Sequence, residues 1–220
     1  MDFIDFLKAI DTYGVVGVIA LFMLFAIFVG ITFIITHPDY MFKRYNKYME
    51  RIHEASFNYR MEQSPNIQML LDKVRLETKA FRCFIVEMHN GKHNSTGLSF
   101  NYGSMTYETL REDADSVLED YDDFTIERYP VILQAYKKGY WAGDITALNQ
   151  IDHRLAYKIK ANDAFYFACV VIYGTNGEIG YLGSTFKKDE VKNEDELVET
   201  LRKYANQVSH LLDGEKAKIR

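Results

Sequence analysis

The sequence predicts an α+β protein: one N-terminal transmembrane helix, a juxtamembrane helix, then a domain with a central antiparallel sheet flanked by N- and C-terminal helices. Three observations carry this. Tyr13–Thr36 (YGVVGVIALFMLFAIFVGITFIIT) holds no charged residue, and at a rise of about 1.5 Å per residue a helix of that length crosses a hydrocarbon core of about 30 Å with a little tilt. Phe165–Tyr173 (FYFACVVIY) is a short apolar run rich in β-formers, followed by Asn176-Gly177 and a second run, Glu178–Phe186. Such a pair of runs around Asn-Gly is the pattern of a tight hairpin. Finally, Asn193 with Glu196 three residues on marks a helix start, and Leu197, Leu201, Tyr204, Val208 and Leu211 or Leu212 give that helix an apolar face.

In chain order, residues 1–12 mix Phe3, Ile4, Phe6, Leu7 and Ile10 with Asp2, Asp5, Lys8 and Asp11, the pattern of a short amphipathic leader at a bilayer surface. A cleaved signal peptide wants a basic start, a shorter apolar run and a small-residue cleavage site, none of which is present here. The span, residues 13–36, contains Ala26 and Gly30, a small-xxx-small pair that lets two helices approach closely in lipid. Its middle has no ionisable side chain with which one chain lines an ion pathway. His37-Pro38-Asp39 ends it. Residues 37–63 then read as a juxtamembrane helical linker, with Lys43, Arg44, Lys47 and Arg51 near the membrane and a heptad-like stripe of Tyr45, Met49, Ile52, Ser56 and Tyr59. Ala26, Gly30, Tyr45, Met49, Ile52 and Tyr59 are the candidate self-association residues.

Residues 64–213 form the globular domain, and 214–220 a basic tail. Ser64-Pro65 predicts a helix start, a hydroxyl N-cap with proline at the first helical position. Ile67, Leu70, Leu71, Val74 and Phe81 supply its apolar face. Arg82–Met88 predicts a buried strand broken by His89-Asn90-Gly91 and a polar loop to Gly97. Phe100–Glu108 predicts a second strand, Thr109–Asp123 an acidic loop or short helix, and Arg128–Lys138 a helix. Gly139–Ala142 restarts an extended segment, and Gln150–Lys160 predicts one more short helix.

The chain has 220 residues and a formal net charge of −5. This balance argues against nucleic acid as a main partner, because neutralising phosphates takes a clustered basic surface. Cys83 and Cys169 each sit in an apolar, strand-like run and read as small buried hydrophobes; a disulfide requires an oxidising compartment. Glu87, His89 and His93 are the candidate metal ligands, since imidazole and carboxylate both bind zinc-like ions. Flanking a glycine turn, they read better as exposed loop polars, and no metal is expected. Ser95, Ser99 and Ser104, and the carboxylates Glu119, Asp120, Asp122 and Asp123, make no recognisable catalytic arrangement, and no phosphate-binding loop or nucleophile elbow occurs. Neither an enzyme nor a cofactor is expected.

The segment FYFACVVIYGTNGEIGYLGSTF followed by NEDELVETLRKYANQVSHLL resembles the GAF/PAS-like sensor fold, in which a hairpin of the central sheet leads into a final helix packed beside the first. As topology the resemblance spans residues 65–212. It implies a ligand- or partner-binding module, although no cyclic-nucleotide motif or chromophore-attachment motif accompanies either cysteine. The whole layout also resembles the holins of T-even phages, a single N-terminal span plus a globular domain. That resemblance implies oligomerisation in the bacterial inner membrane, lesions that permeabilise it for lysis, and a regulatory protein bound by the globular domain. The alternative is a membrane-tethered sensory or protein-interaction module without catalytic activity. The basic residues after the span and acidic ones before it favour a cytoplasmic domain, whereas the holin resemblance implies a periplasmic one.

Overall fold

The computed structural model describes residues 3–93, 99–175, 177–191 and 193–213. The chain divides into two units, Met1–Glu54 and Ala55–Arg220. The first holds helix α1 (Phe3–Thr36), interrupted at Gly14, whose φ of 69° and ψ of 169° lie outside the helical region and inside the range glycine tolerates best. The stretch Gly14–Thr36 is 23 residues long and apolar enough to cross a membrane. Thr32 and Thr36 return their hydroxyls to the carbonyls of Phe28 and Thr32, so the helix carries these polar groups without exposing an unpaired donor. His37 separates α1 from α2 (Pro38–Thr78), with Pro38 at a first helical position, where its missing N–H costs nothing.

The expectation of a new helix at Ser64-Pro65 is corrected: α2 runs through Pro65. Proline removes the N–H that would bond the Met61 carbonyl. The turn persists because the Ser64 hydroxyl bonds the Arg60 carbonyl at 2.9 Å and the Tyr107 hydroxyl at 2.8 Å, and because Ile67, Leu71 and Val74 bury completely one turn on.

The second unit is organised by one six-stranded antiparallel sheet, β1 (Arg82–His93), β2 (Ser99–Leu110), β3 (Phe124–Thr125), β4 (Tyr140–Asp144), β5 (Tyr166–Gly174) and β6 (Gly177–Phe186), in the order β3-β2-β1-β6-β5-β4. Between β3 and β4 lies α3 (Pro130–Lys138); α4 (Ile145–Ile151) and α5 (His153–Ala161) follow β4, and α6 (Glu194–Leu212) follows β6. Gln150–Lys160 is thus split between two helices, because Asp152 caps α5 by accepting from the Leu155 N–H. The β5–β6 pairing extends to Gly174↔Gly177, as the hairpin pattern predicts; Asn176 lies outside the described residues. Asn193 caps α6 by accepting from the Glu196 N–H.

Strand β1 does not stop at Met88. It pairs with β2 through His89↔Tyr102, Asn90↔Asn101 and His93↔Ser99, and a register shift between Asn90 and His93 takes up the residues that read as a glycine turn. The candidate metal ligands therefore lie on a strand, not in a loop. Residues 94–98 of the loop and the basic tail 214–220 lie outside the described residues, as do the leader's side chains at Phe3, Phe6, Leu7 and Ile10.

Both faces of the central strands are covered. On one face Cys83, Ile85, Ala168, Val170, Ile172, Leu182 and Phe186 pack with Ile67, Leu71 and Val74 of α2 and with Leu197, Leu201 and Val208 of α6. On the other, Phe84, Val86, Phe167, Cys169 and Tyr181 pack with α3, α4 and α5 through Val131, Ile132, Leu148, Leu155 and Ile159. Successive residues of β1 and β5 enter opposite cores, which is why both strands read as unbroken apolar runs rather than alternating ones.

Gly180 of β6 pairs with Glu87, and a Cβ built there would overlap the Val86 carbonyl oxygen, a backbone atom that cannot swing aside. Gly180→Ala is therefore expected to lower stability by about 1–3 kcal/mol, as overpacking does, measured as the urea unfolding midpoint. Gly30→Ala, where nothing lies within 4 Å of the new Cβ, leaves that midpoint unchanged.

Candidate binding cavity

Between the sheet and the α5 side of the domain lies a cavity of about 30 Å³. Phe84, Met105, Phe167 and Tyr181 approach it from the sheet, Leu155, Ile159 and Asn162 from α5 and its end, and Val117 and Tyr121 from the segment after β2. Arg82 and Thr185 join Asn162 as the polar residues of this mostly apolar wall. The Thr185 hydroxyl is buried and has no hydrogen-bond partner. A volume of this order holds a water or so, and the lone hydroxyl is the atom that such a water would satisfy.

Arg82 is held from two sides. Its Nε lies 2.8 Å from Glu108 Oε1, with side chains only 4% and 3% exposed, and the approach is too bent to count as a hydrogen bond. Its Nη2 donates to the Asp115 carbonyl at 2.5 Å. Glu108 in turn accepts from the Ser116 hydroxyl at 2.5 Å and the Val117 N–H at 3.3 Å. The pair thus ties the start of β1 to the segment that closes the cavity, and the charge of Arg82 is matched before any ligand arrives. Burial pushes the Tyr121 and Tyr181 hydroxyls well above their ordinary range.

Sequence reasoning missed Arg82, Glu108 and Thr185. The signal was present: with period two, Arg82 shares a strand face with Phe84 and Val86, so it points into a core and requires an anion there. Tyr121 and Val117 were hidden in an acidic stretch, yet both bury, four residues apart.

The candidate metal ligands do not converge. Glu87 is engaged by Arg60, whose Nη1 donates to it at 2.9 Å while Nη2 closes a second, shorter contact, and by the Thr106 hydroxyl at 2.5 Å. His89 is exposed, with Nε2 3.2 Å from the Ser104 hydroxyl and 3.6 Å from Asp123, its ring stacked on Tyr102. The side chain of His93 lies outside the described residues. Among the described residues no three His, Cys, Asp or Glu side chains gather as a metal site would require. Of the candidate self-association residues, Ala26, Gly30 and Tyr45 are exposed, and Met49, Ile52 and Tyr59 are half-buried.

The two cysteines are free and buried. Cys83 packs with α2 and α6, Cys169 with the helices of the opposite face. Cys83 pairs across to Ser184 and Cys169 to Gly183, so β6 lies between them and their side chains point to opposite faces. That arrangement excludes a bridge between them.

No family model and no curated protein matches the chain. Solved structures do match in fold. Among them are GAF3 from Slr1393 of Synechocystis sp. PCC6803, in its photoproduct state, 14% identical over 71% of this chain and 96% of that one, with a TM-score of 0.51. The blue-light-absorbing PixJ GAF domain of Thermosynechococcus elongatus is 12% identical over 70% and 87%, with a TM-score of 0.51. A far-red-absorbing dark state with bound biliverdin IXa is 12% identical over 74% and 99%, with a TM-score of 0.50.

Two outcomes test this site. Glu108→Leu is expected to cost about 3–5 kcal/mol by leaving Arg82 buried and uncompensated, with most of it recovered in Arg82→Met/Glu108→Leu, read from urea unfolding of both variants. Burial raises the Cys83 and Cys169 thiols from 9.0 to about 12. The unfolded chain then loses protons first, so stability is full below pH 9 and falls as pH rises above it. Up to about 1.4 kcal/mol per pH unit and thiol is lost. Unfolding at pH 8 and pH 10 measures the fall, and Cys83→Ala/Cys169→Ala reduces it. The sheet and its two helical layers are a GAF-like fold.

Proposed function

We propose that this chain is a membrane-tethered sensory or protein-interaction module without catalytic activity. Gly14–Thr36 is its single span, and the GAF-like domain is the part that recognises a partner. The observation that carries this reading is the fold, which the chain shares with domains of light receptors. The cavity directs the reading toward a protein partner or a very small ligand. Pockets for cofactor-sized molecules run to about 300–1,000 Å³; this one is about 30 Å³, and the hollows of that larger size, about 500 Å³ beside Asp144 and Lys187 and about 320 Å³ beside Glu77 and Asn193, lie away from it. The basic residues Lys43, Arg44, Lys47 and Arg51 after the span favour a cytoplasmic domain by the positive-inside bias. Ala26 and Gly30, both exposed on α1, suit close pairing with a second copy in lipid.

The resemblance of the layout to T-even phage holins gains nothing from the fold or from any comparison. The two readings separate on expression of the full chain in a bacterium. A tethered module leaves growth and membrane potential intact, a C-terminal reporter is active in the cytoplasm, and added biliverdin produces no bound absorption band in the purified chain. Sharp, timed loss of membrane potential that disappears when residues 13–36 are replaced by a soluble linker would restore the holin reading.

A further inference from the structure

Helix α2 is held to the sheet in two different ways on either side of Pro65. C-terminal to the proline, Ile67, Leu71 and Val74 are fully buried among residues of β1, β5, β6 and α6. N-terminal to it, every residue from Ala55 to Ser64 is exposed or half-buried, and the contacts are polar. Arg60 grips Glu87 of β1 with two guanidinium nitrogens, and its Cζ stands 5.1 Å over the Tyr107 ring. The Ser64 hydroxyl meets the Tyr107 hydroxyl at 2.8 Å, and the Tyr59 hydroxyl reaches the His210 carbonyl at 3.4 Å. Between the two regimes sits a turn of α2 that lacks one backbone hydrogen bond, since Pro65 has no N–H for the Met61 carbonyl.

We propose that α2 is a two-part helix hinged at Pro65. Residues 55–64 form a detachable arm latched to β1 and β2 by Arg60 and Glu87, while residues 67–78 remain fixed in the core. The latch suits release. Its side chains are part-buried, 33% and 23% exposed, so water reaches the pair from outside, and no residue of the arm belongs to either buried core cluster. The Arg60–Tyr107 stacking and the double hydrogen bond fix the arm's closed position more sharply than a single lysine contact would. Glu87 sits on the same strand as Arg82 and Phe84, which line the cavity. The latch therefore reports on β1, yet the two-part behaviour belongs to α2 alone and needs no ligand.

Hydrogen–deuterium exchange of the full chain in detergent micelles tests it, resolved by peptides covering 55–64, 67–78 and 82–88. In the unaltered chain the arm exchanges faster than residues 67–78. Glu87→Gln and, separately, Arg60→Gln speed exchange of the arm by about tenfold, the scale of one charge-assisted hydrogen bond, and leave 67–78 unchanged. Pro65→Ala restores the missing N–H and slows the arm toward the rate of 67–78. Uniform exchange along α2 in the unaltered chain, or arm rates unmoved by both latch variants, overturns the proposal. So does a latch variant that speeds 67–78 and β1 equally, because the pair then supports the whole domain rather than the arm.

Discussion

Strands β1, β6 and β5 are covered on both faces, and every other feature of the domain answers to that constraint. A strand buried on two sides has no solvent face to which a polar side chain can retreat. It must be apolar throughout, or any polar group on it must find a partner inside the protein. Most of FYFACVVIY takes the first course. Arg82 takes the second, and its answer, Glu108, in turn orders Ser116 and Val117. The irregular segment between β2 and β3 is thus fixed from inside by a charge on β1. Gly180 and Gly183 on β6 belong to the same constraint, because β1 passes so close that a side chain at either meets the Val86 carbonyl or the Phe84 ring.

The parts of the fold set by local chemistry were legible in the sequence. The hairpin of β5 and β6, the Asn193 cap and the apolar face of α6 each depend on residues a few positions apart. Elements decided by distant contacts were not legible. Ser64-Pro65 is locally a good helix start, and only Tyr107, 42 positions beyond Pro65, and the buried Ile67 show why the helix continues through it. His89-Asn90-Gly91 is locally a turn, and pairing with Tyr102 and Asn101 overrides it. The cavity shares this property. Its lining comes from β1, β2, β5, β6, α5 and an irregular segment, and no stretch of sequence contains more than a few of its residues.

The two layers on the sheet differ in kind. The layer of α2 and α6 consists of long helices with regular apolar faces. It leaves Glu77 as an acceptor for the buried Tyr204's hydroxyl at 2.6 Å, a part-buried bond that holds the Glu77 carboxyl below its usual range. The layer of α3, α4 and α5 is made of short helices, α4 and α5 parted only by the capping residue Asp152, and the small cavity beside Arg82 opens on this side. Among the described residues, the orphaned hydroxyls of Tyr136 and Thr185 and the second carboxylate oxygen of Asp152 lie in or beside this layer, whereas Arg75 Nε on α2 is an orphan of the other.

The placement of the cysteines has a consequence for where such a domain can work. With Cys83 and Cys169 facing opposite cores and shielded from water, neither an oxidising nor a reducing surrounding changes the covalent structure. No bridge between the two thiols can form or be lost as the redox potential changes. The native thiols also form a silent background, against which a single cysteine placed anywhere on the surface is the one group that a thiol reagent finds.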